Sequence, residues 1–405
     1  MIYLDNSATT KQYDKVTQVM LKYMQEDFGN PSALYQLGVD TEKAIKAARK
    51  QVTDAMTDSC GGALDFEKAG KLYFTSGGTE GDNTAICGAA RALRRRGKRI
   101  VTSAVEHPAV LECCKRLEED GFEIVRVGVD EKCRPDMDAL AKAINKETIL
   151  VTLMHVNNET GTIFPIDEVR GIMDANGCKG LLHTDAVQSF GKLPMPTAAD
   201  MISISGHKIN GPKGIGALWV RNGVNLPAFI TGGGQESGMR SGTQNVPAIM
   251  GLGLAAEISE ANRTAEMQRI ATLRERLMTG LTDVLDDVLV NSPEEASING
   301  EAGLCCPTVL SVSFKGTRGE VILHTLEQET IKGADDGIYV STGSACSSNK
   351  KGQSHVLTAM GLKDKEIEGT IRFSLGRFNT QDEIFITIKR VTEAVLRFRK
   401  LGTFR

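Results

Sequence analysis

No stretch of the chain approaches the ~18 unbroken apolar residues that a helix needs to cross a bilayer. The opening MIYLDNSATT has neither the basic start nor the apolar run of an export signal. No C-x2-C pair is present, and the adjacent pairs Cys113-Cys114 and Cys305-Cys306 are poorly spaced for a tetrahedral metal, so no metal site is expected. Charge of either sign is not in excess: 48 Lys and Arg against 51 Asp and Glu leave −3 on 405 residues. That gives no field to hold nucleic acid or a membrane surface. Internal repeats and low-complexity tracts are absent as well. A membrane-spanning chain, a disordered chain, a collagen and a small disulfide scaffold are thereby excluded. The nine cysteines, odd in number, fit a reducing cytoplasm in which most are buried thiols. In that setting the triplets Asn158-Glu159-Thr160 and Asn262-Arg263-Thr264 carry no glycan.

What is present is an ordinary globular composition, 41% apolar and 24% charged, long enough for two or three domains and a large core. Short apolar runs predict strands at Lys71–Thr75, Arg99–Ser103, Glu123–Val127, Ile149–His155, Gly180–Thr184, Met201–Ser205 and Gly216–Val220. Helical patterns lie between them at Thr79–Arg95, Ala109–Glu119, Met137–Asn145 and Asp167–Asn176. This alternation predicts an α/β unit, a mostly parallel sheet covered on both faces. Ligands collect beyond the carboxyl ends of such strands, and there the polar clusters EHP, NNET, DAVQ and GHK fall. After the glycine-rich Gly232–Gly242 stretch the pattern changes. Ala248–Val288 reads as helix that bridges two domains. Strands at Thr308–Phe314, Gly337–Ser341 and Thr370–Leu375 then mix with helices Gly319–Gln328 and Asp382–Arg399. The expected division is a large domain over 15–255 and a smaller α+β domain made of 1–14 and 256–405. The run Met56–Gly70 is read as a surface insertion.

Lys208, in SISGHKINGPKG, follows a buried apolar strand and is crowded by small residues. An isolated lysine there most often points at water; one confined beside other cations becomes an amine nucleophile. About twenty residues upstream, Asp185 sits at a strand end, where a carboxylate could keep a pyridine nitrogen protonated. Thr75-Ser76-Gly77-Gly78-Thr79 is a strand, a small-residue turn and a helix start. It suits a phosphate, although the same residues also serve for capping alone. No G-K-[ST] follows, so it is not a Walker loop. His107, in EHP, could stack on a flat cofactor. His155, His183, His324 and His355 are read as structural.

Together these residues carry a resemblance. LDNSATT, GNPSALY, TSGGTE, EHPAV, HVNNETG, HTDAVQ, SISGHKINGPKGIGAL, GGGQESGMRSGTQN, STGSACSS and IRFSLGR occur in the order seen in cysteine desulfurases, pyridoxal-phosphate enzymes of the class V aminotransferase family. The match runs from Tyr3 to Phe378. It implies the fold type I, aspartate-aminotransferase-like architecture and a homodimer with active sites at the subunit interface. Carried over by position, Lys208 resembles the lysine that binds pyridoxal phosphate covalently, Asp185 the partner of its ring nitrogen and His107 the histidine over the ring. Gly78, Thr79, Ser205 and His207 match the phosphate cradle, joined by Thr243 of the other subunit. Asn158 and Gln188 match the residues that bracket the ring. Arg372, with Asn158 beside it, resembles the grip on the substrate carboxylate, a task suited to a guanidinium fork.

Cys346 stands among Gly, Ser and Ala on both sides, which suits a thiol that must move and react more than an inert buried one. The resemblance assigns it the thiolate that takes sulfur from L-cysteine, leaving a persulfide and L-alanine. Expected partners are then L-cysteine and sulfur-acceptor proteins, either an iron–sulfur scaffold or a transfer-RNA thiolation enzyme. A selenocysteine lyase or a small-amino-acid aminotransferase of the same fold is the alternative. The chain departs from the usual motifs at Ser237, Gly81 and Tyr35.

Overall fold

The computed structural model describes residues 1–328, 337–342, 353–400 and 402. Its strands are β1 (Ile2–Tyr3), β2 (Gly70–Thr75), β3 (Arg99–Ser103), β4 (Glu123–Val127), β5 (Thr148–Met154), β6 (Leu181–Asp185), β7 (Met201–Ser205), β8 (Gly216–Arg221), β9 (Val288–Val290), β10 (Val309–Phe314), β11 (Ile338–Tyr339) and β12 (Thr370–Ser374). Its helices are α1 (Asp14–Gln25), α2 (Gln36–Ser59), α3 (Phe66–Ala69), α4 (Gly78–Leu93), α5 (Pro108–Glu119), α6 (Met137–Ala143), α7 (Ile166–Ala175), α8 (Val246–Ala261), α9 (Arg263–Thr282), α10 (Gly319–Gln328), α11 (His355–Ala359), α12 (Asp364–Glu368) and α13 (Gln381–Lys400). None is long and apolar enough to cross a membrane.

Seven strands form one sheet in the order β2-β8-β7-β6-β5-β3-β4. Only β8 runs against the rest of it, pairing antiparallel with both β2 and β7. Every residue of β5 and β7 is buried, as expected for strands covered on both faces. The crossover helices α4, α5, α6 and α7 return the chain each time to the same edge, so the carboxyl ends of six strands line up there.

A second sheet, β12-β10-β9, is antiparallel. Its apolar side chains gather with those of α9, α10 and α13 and with Ile2 and Leu4 into a cluster separate from that of the large sheet. β1 pairs in parallel with β11, which draws the N-terminus onto this second unit. Val356, Leu357, Met360 and Ile367 of α11 and α12 pack instead against the first cluster.

The structure departs from the sequence-based reading in several places, among them the strand expected at Gly337–Ser341, of which only Ile338–Tyr339 forms. The helix expected through Val288 breaks at Asn262 and ends at Thr282, and Val288 opens the edge strand β9. The strands expected at Ile149–His155 and Gly180–Thr184 lie one residue away from those positions. Met56–Gly70 does not lie wholly at the surface: Met56 and Phe66 are fully buried, while Asp58, Gly61–Ala63, Glu67 and Lys68 are exposed. Trp219 Nε1 donates to Phe66 O at 2.9 Å while the two rings meet edge to face at 4.9 Å. One aromatic pair therefore holds α3 into the core.

Candidate active site

Beyond the carboxyl ends of β2, β5, β6 and β7 lies a cavity of about 250 Å³. Gly78, Thr79, His107, Asn158, Asp185, Gln188, Ser205, His207, Lys208 and Arg372 all line it, so every expected site residue but two meets there. Thr243 is exposed and lies elsewhere. Cys346 lies outside the described residues.

Local chemistry explains each placement. β7 ends at Ser205 and the chain turns through a short 3₁₀ segment, Gly206–Lys208. A Cβ at Gly206 would meet Pro212 O and Ile215 Cγ2 at 3.0 Å, so the turn that aims Lys208 is closed around a residue without a side chain. Lys208 Nζ donates to Ser7 O and, at 2.7 Å, to Ala8 O. His207 bonds Thr9 Oγ1 through Nδ1 at 3.2 Å. Burial, with Lys208 and Lys213 nearby, pulls His207 down to about 4, so the ring is neutral.

Asp185 ends β6, where its Oδ1 accepts the Val187 amide at 2.9 Å. Burial raises its pKa against the pull of His107 and Lys208. His107 caps α5, its Nδ1 accepting from the Ala109 amide at 3.1 Å, with Pro108 in the first turn. That bond places the proton of the neutral ring on Nε2, and burial lowers the pKa. Asn157 builds the NNETG turn, its Oδ1 accepting from Glu159 N and Thr160 N, and Gly161 follows at φ 78. Asn158 is thereby held over the cavity.

Six further lining residues are not among the expected site residues: Ser7, Ala8, Asp82, Met154, Val156 and Val187. Behind Arg372 is another. Asp5 Oδ1 accepts from Arg372 Nη2 at 2.8 Å, and Asn158 O accepts from Nη1 at 3.0 Å. The signal for both Asp5 and Ser7 was LDNSATT itself, whose polar residues carry no visible chemistry until the fold lays them between Lys208 and Arg372. Asp82 is fully buried, raised well above the usual carboxylate range by burial and by Asp185.

The departures also have places. At Gly81 a Cβ would come within 2.9 Å of Ser203 Oγ. Ser237 holds the left-handed region, φ 55 and ψ 31. Tyr35 is exposed at the start of α2.

The cavity fits pyridoxal phosphate. Among the described residues no side chain caps α4 at Gly77, which leaves the first-turn amides of the helix for an anion. A Cβ on Gly78 would come within 2.6 Å of Val187 Cγ2, so a larger residue there would have to displace Val187. Thr79, Ser205 and neutral His207 supply further donors. Asp185 is buried where a ring nitrogen would need a counter-charge, Val187 and His107 offer two faces for a ring, and Lys208 carries the amine.

This fold with this constellation defines a class: the chain belongs to the class-V aminotransferase family, whose sequence profile matches residues 2–386. Within it, the chain is 42% identical over 404 residues to the cysteine desulfurase IscS of Methanosarcina thermophila, covering 99% of this chain and 93% of that one. It is 41% identical over 409 residues to cysteine desulfurase IscS of Pectobacterium carotovorum, covering 99% and 94%. A solved NifS-like protein superposes with a TM-score of 0.85 at 34% identity, over 98% of this chain and 99% of the other. A structure titled SspA in complex with cysteine superposes at 0.75 and 33%, over 94% and 100%.

Proposed function

We propose that this chain is a pyridoxal-phosphate-dependent cysteine desulfurase whose covalent cofactor site is Lys208 and whose sulfur acceptor is Cys346. The observation that carries the reading is the convergence of Lys208, Asp185, His107 and Arg372 on one cavity in a chain so similar to named desulfurases.

Bound pyridoxal phosphate supplies an electron sink that weakens bonds at the α and β carbons of an attached amino acid. Gly78, Thr79, Ser205 and His207 hold its phosphate, and Thr243 from a second copy completes that cradle in a homodimer. Asp185, fixed by the Val187 amide, holds the proton of the ring nitrogen. His107 covers the ring. Asn158 and Gln188 bracket it, and Gln188 is itself anchored by donating to Ser7 O at 3.0 Å. Arg372 takes the α-carboxylate of L-cysteine in a bidentate fork. Lys208 Nζ would hold the cofactor and move protons at the substrate carbons. The Cys346 thiolate attacks the substrate sulfur; the Cβ–S bond breaks, an S–S bond forms, and Cβ gains a proton. L-cysteine and the Cys346 thiol become L-alanine and a Cys346 persulfide, which is passed to acceptor proteins of iron–sulfur assembly or transfer-RNA thiolation. A persulfide carrier needs reduced thiols, so the setting is the cytoplasm. The large domain is 15–255, and the smaller one joins 1–14 to 256–405.

L-Cysteine added to the cofactor-loaded protein with dithiothreitol should release sulfide and alanine in equal amounts. Lys208→Ala should lose the visible absorption of the bound cofactor together with turnover. Alanine formed without sulfide, or full turnover in Lys208→Ala, contradicts the reading.

A further inference from the structure

Away from the active site, α4 and α5 bring two thiols together. Cys87 Sγ and Cys113 Sγ lie 3.3 Å apart, in hydrogen-bond contact, within the apolar cluster between these helices and the sheet. Cys87 forms part of the wall of a second cavity, of about 280 Å³, with Arg91, Arg94 and Arg116. The three arginines are exposed and Cys87 is 7% exposed, while Cys113 behind it is 4% exposed and does not line the cavity. One sulfur thus meets the cavity and the other waits beside it. This is the arrangement of an attacking and a resolving thiol. The Cys113 hydrogen bond, with Arg91 and Arg116, brings Cys87 down to about 7 despite its burial. Cys113 is pushed up by the same hydrogen bond and by burial. Cys114, next in sequence, is pushed up to about 12 by burial.

We propose that Cys87 and Cys113 are a redox modification site, closing to a reversible disulfide when a small hydroperoxide enters the cavity rimmed by Arg91, Arg94 and Arg116. The Cys87 thiolate attacks one peroxide oxygen. The O–O bond breaks, Cys87 becomes a sulfenic acid and hydroxide leaves. Cys113 sulfur then displaces the sulfenic oxygen, and its proton goes with that oxygen as water. In sum, two thiols and one hydrogen peroxide give one disulfide and two waters; the thiols lose two electrons and the peroxide gains them. The bond would join the helix that begins at Gly78 and Thr79 to the helix capped by His107. The inference rests on the two helices alone and stands apart from the reading of Cys346.

The test uses the cofactor-loaded protein treated with an equimolar amount of hydrogen peroxide. It is then unfolded in acid, alkylated and digested without reductant. A peptide pair linked Cys87 to Cys113 is expected, removed by dithiothreitol, retained in Cys114→Ser and absent from Cys87→Ser and Cys113→Ser. Alkylation of both Cys87 and Cys113 after peroxide overturns the proposal. A link from Cys87 to Cys114, or Cys87 carried to sulfinic acid with Cys113 free, also overturns it. The mapping on the unaltered chain is decisive even where a variant fails to fold.

Discussion

Asp5 holds one arm of Arg372 while the carbonyl of Asn158 holds another, so the guanidinium proposed to take the substrate carboxylate is fixed before substrate arrives. Asp5→Ala should therefore raise KM for L-cysteine about tenfold, the loss of one charge-assisted hydrogen bond, with a smaller change in kcat. Asp5→Asn keeps the acceptor oxygen and should restore most of the affinity; alanine formation against cysteine concentration measures both. Ser237 sits in a backbone region that costs a residue with a Cβ roughly 1–2 kcal/mol. Ser237→Gly should raise stability by about 1 kcal/mol in chemical denaturation. At this scale the motifs made the site legible: Lys208, Asp185, His107 and Arg372 are far apart in sequence, yet the first three sit at or just beyond strand ends and Arg372 lies within β12. Asp5 was not legible, because an aspartate in a short N-terminal segment shows its role only once β1 is paired beside β11 and Arg372 is near.

The elements were read well where the pattern was long and periodic. Strands β3, β4 and β7 match the expected ranges because an apolar run bounded by polar turns has a single reading. The helical reading of Ala248–Val288 failed at its end because Val288–Val290 is too short to show alternation, and its strand character comes from pairing with β10. α3 was missed for a related reason: one turn shows no periodicity, and burial of Phe66 against Trp219 is a tertiary effect. Arg274 on α9 is buried and donates to the carbonyls of Val309, Glu294 and Pro293. It ties the helix to β10 and to the segment that follows β9. Arg274→Met should cost at least about 2 kcal/mol, since two buried acceptors, Val309 O and Pro293 O, lose their donor at roughly 1–3 kcal/mol each. Denaturant unfolding measures this, and a loss under 1 kcal/mol would contradict the role.

Across the whole molecule, buried titrating groups set how stability depends on pH. Burial pushes Glu106 up to about 8 and Glu159 to about 7. The folded state holds protons that the unfolded chain releases near 4.5. Their contribution is thus full below pH 4.5 and is lost as pH rises through 7 and 8. His155 and His183, held near 4 and 3 by burial, act in the opposite sense, and their contribution is lost as pH falls below 6.5. Between pH 6.5 and 8 the two carboxyl groups dominate this set. The melting temperature should fall across that interval, and Glu106→Gln should flatten the slope in calorimetry. The joining of the N-terminus to the second apolar cluster was not carried by any one motif; it comes from the pairing of β1 with β11 and the burial of Ile2 and Leu4. The central claim is that sulfur leaves L-cysteine on Cys346. It is tested most directly by the intact mass of the cofactor-loaded protein after one turnover of L-cysteine without reductant. The chain should gain one sulfur atom, mapped to Cys346 and removed by dithiothreitol, with one alanine formed per chain. Alanine formed with no sulfur on the chain, or with the sulfur on another cysteine, would contradict it.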